Sequence, residues 1–155
     1  MPTRLKELAR ISASVTHNHI EGIRGAEAVA VCVYMASNNY SKEEIKEYVY
    51  DHYYLVLDYF EYDELLKYNT FDSTCQGSVP ESIYCFLISD SFEDALRTAV
   101  SIGGDSDTIA CITGAIAEAY YHNEKETRDV VEKFLSLKII PDEFVEVVNR
   151  VMEGK

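Results

Sequence analysis

Residues 109–120 read Ile-Ala-Cys-Ile-Thr-Gly-Ala-Ile-Ala-Glu-Ala-Tyr, a run that is apolar or small on nearly every face of a helix. A helix with a single apolar stripe lies on a surface, whereas one that is apolar all round has to be surrounded. Ala110, Gly114, Ala115, Ala117 and Ala119 have little or no side chain, so neighbouring backbones can come close. One central helix in a chain of 155 residues, about the length of a single domain, calls for other helices packed around it.

The rest of the chain supplies them. Residues 4–16 set Leu5, Leu8, Ala9, Ile11 and Ser12 on one stripe, and the small-residue and valine run from Gly25 to Ala36 suits a second buried helix. Ser41-Lys42-Glu43-Glu44 has the form of a capping box and predicts a third helix reaching about Tyr53. The periodicity fades between Val56 and Cys75, where only Asp63–Leu66 suggests a short helix. Pro80 fits a first helical turn with Ser78 as its cap, and Ser91 fits the cap of the next helix. Two amphipathic helices are expected at about 125–137 and, after Pro141, at 142–152. With no strand, linker or repeat in the pattern, the expectation is one all-α domain over residues 1–155.

Charge narrows the range of partners. With 27 acidic against 14 basic side chains the formal charge is −13, the opposite of what a phosphate backbone attracts, so nucleic acid is not an expected partner. No apolar run approaches the roughly 18 residues that span a bilayer, and Met1–Glu7 lacks the apolar stretch of a signal peptide. A cytoplasmic location is therefore expected. Cys32, Cys75, Cys85 and Cys111 fall at no metal-finger spacing and read as reduced, largely buried thiols.

The chemistry concentrates at Gly103-Gly104-Asp105-Ser106-Asp107-Thr108. Paired glycines allow a tight turn, and two carboxylates and two hydroxyls follow at the mouth of the central helix. A helix amino terminus favours anions, so the carboxylates should be ionised there. Their oxygens are hard ligands suited to Mg²⁺, Mn²⁺ or Ca²⁺. The same residues are also what an ordinary helix cap looks like, and Asp-x-Asp alone does not separate the two readings.

Taken with its surroundings, the motif resembles the signature of the ADP-ribosylglycohydrolases. The resemblance includes Ile109-Ala110 and Ile112–Tyr121 after the motif. Upstream it includes Ser14-Val15-Thr16-His17-Asn18-His19 with Glu21–Ala26, then Cys75–Pro80, then Ser91–Arg97. The blocks keep the family's order over about residues 5–123, followed by a divergent helical tail at 124–155. The resemblance implies an orthogonal helical bundle that hydrolyses ADP-ribosyl N- or O-glycosidic bonds at a two-metal Mg²⁺ or Mn²⁺ site. It implies Asp105, Asp107 and Thr108 as metal ligands, with Asp105 and Asp107 catalytic. It further implies Gly103 and Gly104 against the ribose, His17 and His19 beside the phosphates, and Ser73 in a loop near the adenosine. A hydrogen-bonded histidine pair at a helix end is the plainer reading of His17 and His19.

Two family elements, a Thr-Asp-Asp metal motif and a Gly-Asn-Gly-Ser-type loop, have no counterpart in these residues. The chain is accordingly expected to be a truncated form carrying about half of the metal shell. A separately encoded amino-terminal half, or a second copy in a homodimer, would complete it. The alternatives are a module that holds ADP-ribose without cutting it and an inactive fragment.

Overall fold

A computed structural model describes residues 3–137 and 140–152. Among these residues it contains nine α-helices, one 3₁₀ turn and no strand. The helices are α1 (Thr3–Ser14), α2 (Ile20–Ser37), α3 (Lys42–His52), α4 (Tyr62–Tyr68), α5 (Cys75–Ile88), α6 (Phe92–Ser101), α7 (Ser106–Tyr121), α8 (Lys125–Ser136) and α9 (Asp142–Met152), with the 3₁₀ turn at Leu55–Tyr59. The chain divides into two compact units, Met1–His122 and Asn123–Lys155.

In the first unit α7 occupies the centre, packed against α2, α5 and α6. Ile109, Thr113, Ile116, Ala117, Ala119 and Tyr121 are buried along it, while Cys111 and Ala115 are exposed. The all-round apolar helix is therefore covered on most of its circumference, with one narrow strip open. Gly114 is where α6 presses closest: a Cβ there would stand 3.0 Å from Leu96 Cδ2. Thr113 Oγ1 donates to Ser82 O at 3.0 Å, which keys α7 to α5 through a fully buried hydroxyl. Gly25 plays the same part between α2 and α5, since its Cβ would meet Val79 Cγ2 at 3.2 Å.

Local signals behave as their chemistry demands. Ser41 Oγ accepts from Glu44 N at 3.2 Å and Glu44 Oε2 accepts from Ser41 N at 2.8 Å, closing the capping box at α3. Ser91 Oγ accepts from Asp94 N at 3.2 Å at the start of α6. Helix α5 differs from expectation: it starts at Cys75 with Thr74 as its cap, and Pro80 lies inside it. Ser78 is consequently not a cap. It is buried within the helix, and its hydroxyl donates to Thr74 O at 3.0 Å. Helix α1 also turns differently, with Leu5, Ala9 and Ala13 half-buried while Leu8 and Ile11 are exposed.

The second unit consists of α8 and α9, both strongly amphipathic. Among the described residues no helix is long and apolar enough to cross a membrane.

Candidate functional site at the start of helix α7

Four helices meet behind the Gly103–Thr108 segment. Cys85 of α5, Ala99 of α6, Ile109 of α7 and the linking Ile102 form a buried cluster, against which Tyr62 and Leu65 of α4 pack. Burial in this cluster raises the Cys85 thiol to about 12, so it is an inert packing group. Cys32 is raised likewise to about 12, whereas Cys111 is exposed, against the expectation of largely buried thiols.

The turn out of this cluster requires its glycines. Gly103 and Gly104 both have left-handed backbone, at φ 77° and 67°, a region that costs an L-residue roughly 1–2 kcal/mol. Their surroundings differ. A Cβ on Gly103 would meet nothing within 4 Å, whereas one on Gly104 would stand 2.9 Å from Asn69 Nδ2 and 3.4 Å from Ile109 Cδ1. Ser106 Oγ donates to Gly103 O at 3.1 Å and ties the turn to the first residue of α7.

Asp105 occupies the N-cap position of α7, yet its side chain makes no capping hydrogen bond. The plain capping reading is therefore not realised by this carboxylate. Hydrogen bonding with the Asp105 carboxyl group, then with the Thr108 and Asp107 backbone amides, holds the Asp107 carboxyl below its ordinary value. Asp107 itself is exposed. Two carboxyl groups this close repel each other when both are ionised, and a hard cation between them would remove that repulsion. The donor set fits a divalent cation in kind, with oxygen ligands of the right hardness. In number it falls short of the roughly six such ions take. Among the described residues no group of three or more His, Cys, Asp or Glu side chains is placed to hold a metal ion.

The histidines lie on the next helix start. His19 is the N-cap of α2, where its Nδ1 accepts from Glu21 N at 3.2 Å. His17 Nδ1 is 2.8 Å from Thr16 Oγ1, and both rings are exposed. The plainer reading, a hydrogen-bonded helix-end pair, is thus present in the geometry. It does not exhaust the site, because a His19 whose Nδ1 accepts carries its proton on Nε2, which is free to donate outward.

Ser73 is exposed in the loop between α4 and α5. That loop is pinned at two points, each a glycine. Asn69 lies against Gly104, and Asp72 lies so close to Gly77 that a Cβ there would be 2.5 Å from Asp72 Oδ2. Asp72 Oδ1 also accepts from Thr74 N at 2.8 Å, and hydrogen bonds from the Thr74 backbone and hydroxyl hold its carboxyl below the usual range. Asn69 Nδ2 donates to Glu81 Oε2 at 3.2 Å. Half-burial pushes the Glu81 carboxyl up, opposed by Asn69 and reinforced by the charge of Asp72. Neither Asn69 nor Glu81 stands out in the sequence. Asn69 follows a weakly periodic stretch and Glu81 follows a proline, so only the folded loop brings them to Gly104.

An all-α core with a paired-glycine turn delivering two adjacent carboxylates to the start of its central helix defines a distinct class of protein. The chain belongs to the ADP-ribosylglycohydrolase family, whose sequence model matches residues 1–152, through the second unit as well as the first. It is similar to a protein of Archaeoglobus fulgidus, 35% identical over 132 residues, covering 74% of this chain and 42% of that protein. It is similar also to the ADP-ribosylhydrolase ARH3 of Bos taurus, 30% identical over 165 residues, covering 78% of this chain and 45% of the relative. A shorter stretch of 55 residues is 49% identical to human ADP-ribosylhydrolase ARH3, covering 28% of this chain and 15% of the relative. The chain thus spans less than half the length of the longer-matched relatives.

Proposed function

We propose that this chain carries part of the active site of a hydrolase that cleaves ADP-ribosyl N- or O-glycosidic bonds, with Asp105, Asp107 and Thr108 as ligands of Mg²⁺ or Mn²⁺. The observation that carries the reading is the paired carboxylates at the start of α7, one of them excused from the capping duty its position would normally impose. Family membership and the ADP-ribosylhydrolase relatives support the choice of substrate. When bound, such a cation supplies Lewis-acid polarisation and neutralises the two carboxylates.

The chain's own groups have separate tasks. Gly103 leaves open space where a ribose can lie against backbone. His19 presents Nε2–H, and His17 its exposed ring, towards a diphosphate. Ser73 adds a hydroxyl from the loop pinned beside Gly104. Asp105 and Asp107 would hold the cation, and because glycosidic bonds break through an oxocarbenium-like state, a carboxylate oxygen that the cation leaves free can face the positive charge that develops there. The remaining oxygen ligands would be water, which such ions commonly retain, together with any oxygens supplied from outside these residues.

A second reading, ADP-ribose held without hydrolysis, is favoured by the short donor set. Calorimetry with ADP-ribose, with and without Mn²⁺, separates the two when paired with a hydrolysis assay. Binding strengthened by Mn²⁺ is expected, and Asp107→Asn should abolish the Mn²⁺ effect. Unchanged Mn²⁺ binding in that variant would remove Asp107 from the site, and tight binding without turnover under all pairings would favour the binding module.

A further inference from the structure

The Gly103–Gly104 turn has two left-handed residues in succession, and its outer side is bare, since nothing lies within 4 Å of where a Gly103 Cβ would stand. Within the turn Ser106 Oγ donates to Gly103 O and Gly103 N–H donates to Val100 O at 3.4 Å, and against Gly104 stand two side chains, Ile109 from the buried core and, closer, Asn69. We infer that Asn69, held in place by Glu81, is a clamp that sets the Gly103–Gly104 turn and so aims Asp105 and Asp107, making Asn69 and Glu81 positioning residues for the site.

Both ends of the clamp are anchored. Asn69 closes α4, with its backbone N–H donating to Leu65 O at 3.0 Å, and Leu65 packs on the buried cluster behind the site. Glu81 is on α5 beside Ser82, whose carbonyl takes the buried hydrogen bond from Thr113 of α7. The amide nitrogen that donates to Glu81 is also the atom that a Cβ on Gly104 would meet first, at 2.9 Å. Releasing it from Glu81 frees the amide to rotate away and removes the wall on that side. The requirement is for a hydrogen-bond acceptor at position 81 and not for a charge, so glutamine should serve there and alanine should not. The consequence for metal affinity rests on the proposed reading of Asp105 and Asp107, while the consequence for the turn does not.

The test uses the full chain labelled with ¹⁵N. Asn69→Ala and Glu81→Ala should each shift the Gly103, Gly104, Asp105 and Asp107 amide resonances and speed their hydrogen exchange, while Glu81→Gln keeps both near wild type. Residues that orient metal ligands are typically worth about 10–100-fold in affinity, so the Mn²⁺ dissociation constant, read from paramagnetic broadening, should rise at least about tenfold in the alanine variants. Unmoved turn amides in Asn69→Ala would overturn the clamp, as would a Glu81→Gln variant as disturbed as Glu81→Ala. Should Glu81→Ala fail to fold, Asn69→Ala and Glu81→Gln still decide. A wild type unaffected by Mn²⁺ would overturn the metal reading, and the amide shifts would decide the clamp regardless.

Discussion

Two neighbouring glycines with nearly the same backbone conformation should respond very differently to one added methyl group. Gly103→Ala carries only the left-handed backbone cost, roughly 1–2 kcal/mol, because its Cβ enters open space. Gly104→Ala carries the same cost and also drives a Cβ to 2.9 Å from the Asn69 amide, adding roughly 1–3 kcal/mol of overpacking. Urea unfolding should rank Gly104→Ala as clearly the less stable. Ligand binding should be lost in Gly103→Ala while the fold survives, since the methyl fills the space assigned to the ribose. Equal stability losses would mean that the Asn69 contact yields freely. Glu81 adds a pH signature. Its carboxyl is raised above 4.5, chiefly by burial, so its contribution is fully present below that pH and is lost as pH rises through the folded value. Asp72 opposes it, its lowered carboxyl stabilising above 3.8 and losing that effect as pH falls. The neighbouring Cys85 thiol, raised to about 12, adds no charge in this range. Unfolding measured from pH 4 to 7 should show the Glu81→Gln variant gaining on the wild type as pH rises, and a constant difference would contradict the raised carboxyl.

Among the elements, those with strong local chemistry were legible and those set by a distant contact were not. The Ser41 and Ser91 caps act within four residues, so they could be read directly. Residues 109–120 are apolar enough to demand burial wherever they lie. The start of α5 could not be read in this way. Pro80 ordinarily marks a first turn, but Thr74 caps the helix earlier, and the Asp72 side chain folded over Gly77 stabilises the extra turn. On α1 the periodicity was visible while its rotation was not, because Leu5 and Leu8 are equally apolar and only the position of α2 selects Leu5. Of the site, the Gly-Gly-Asp-x-Asp turn was legible, whereas the Asn69–Glu81 support depends on two elements meeting at Gly104. The central helix also gives a prediction independent of the site. Ile116 is fully buried about two and a half turns from Asp107, so Ile116→Ala should cost roughly 2–5 kcal/mol and leave Mn²⁺ affinity per folded molecule unchanged. A change in affinity at equal folded fraction would show that the turn senses core packing.

At the scale of the molecule, a second copy would need apolar surface to meet, and residues 29–35 and 109–119 offer little of it. Val31, Cys32, Met35, Ile109 and Ile116 are buried. The open apolar side chains of the first unit include Leu8 at 54% and Ile11 at 57% exposed on α1 and Val15 at 81% just past its end. Leu8 and Ile11, three residues apart on the helix, form an apolar patch of the kind that acts as an association site when it exceeds a few hundred Å². Charge shapes what can meet it. Helix α1 carries Arg4, Lys6 and Arg10 against only Glu7, in a chain whose formal charge is −13. A basic, apolar helix on a strongly acidic protein suits an acidic surface, and in a one-chain sample the available acidic surface is another copy. Electrostatic attraction between exposed charges weakens with salt, whereas apolar contact does not, so the two contributions can be told apart. Sedimentation velocity at micromolar concentration should show association that is weakened, not abolished, between about 0.05 and 0.5 M salt. Leu8→Glu combined with Ile11→Glu should return the chain to monomer without unfolding it, because both side chains already face solvent. A wild type that stays monomeric at low salt would show that this face has no affinity for a second copy, and would leave the homodimer without its physical basis.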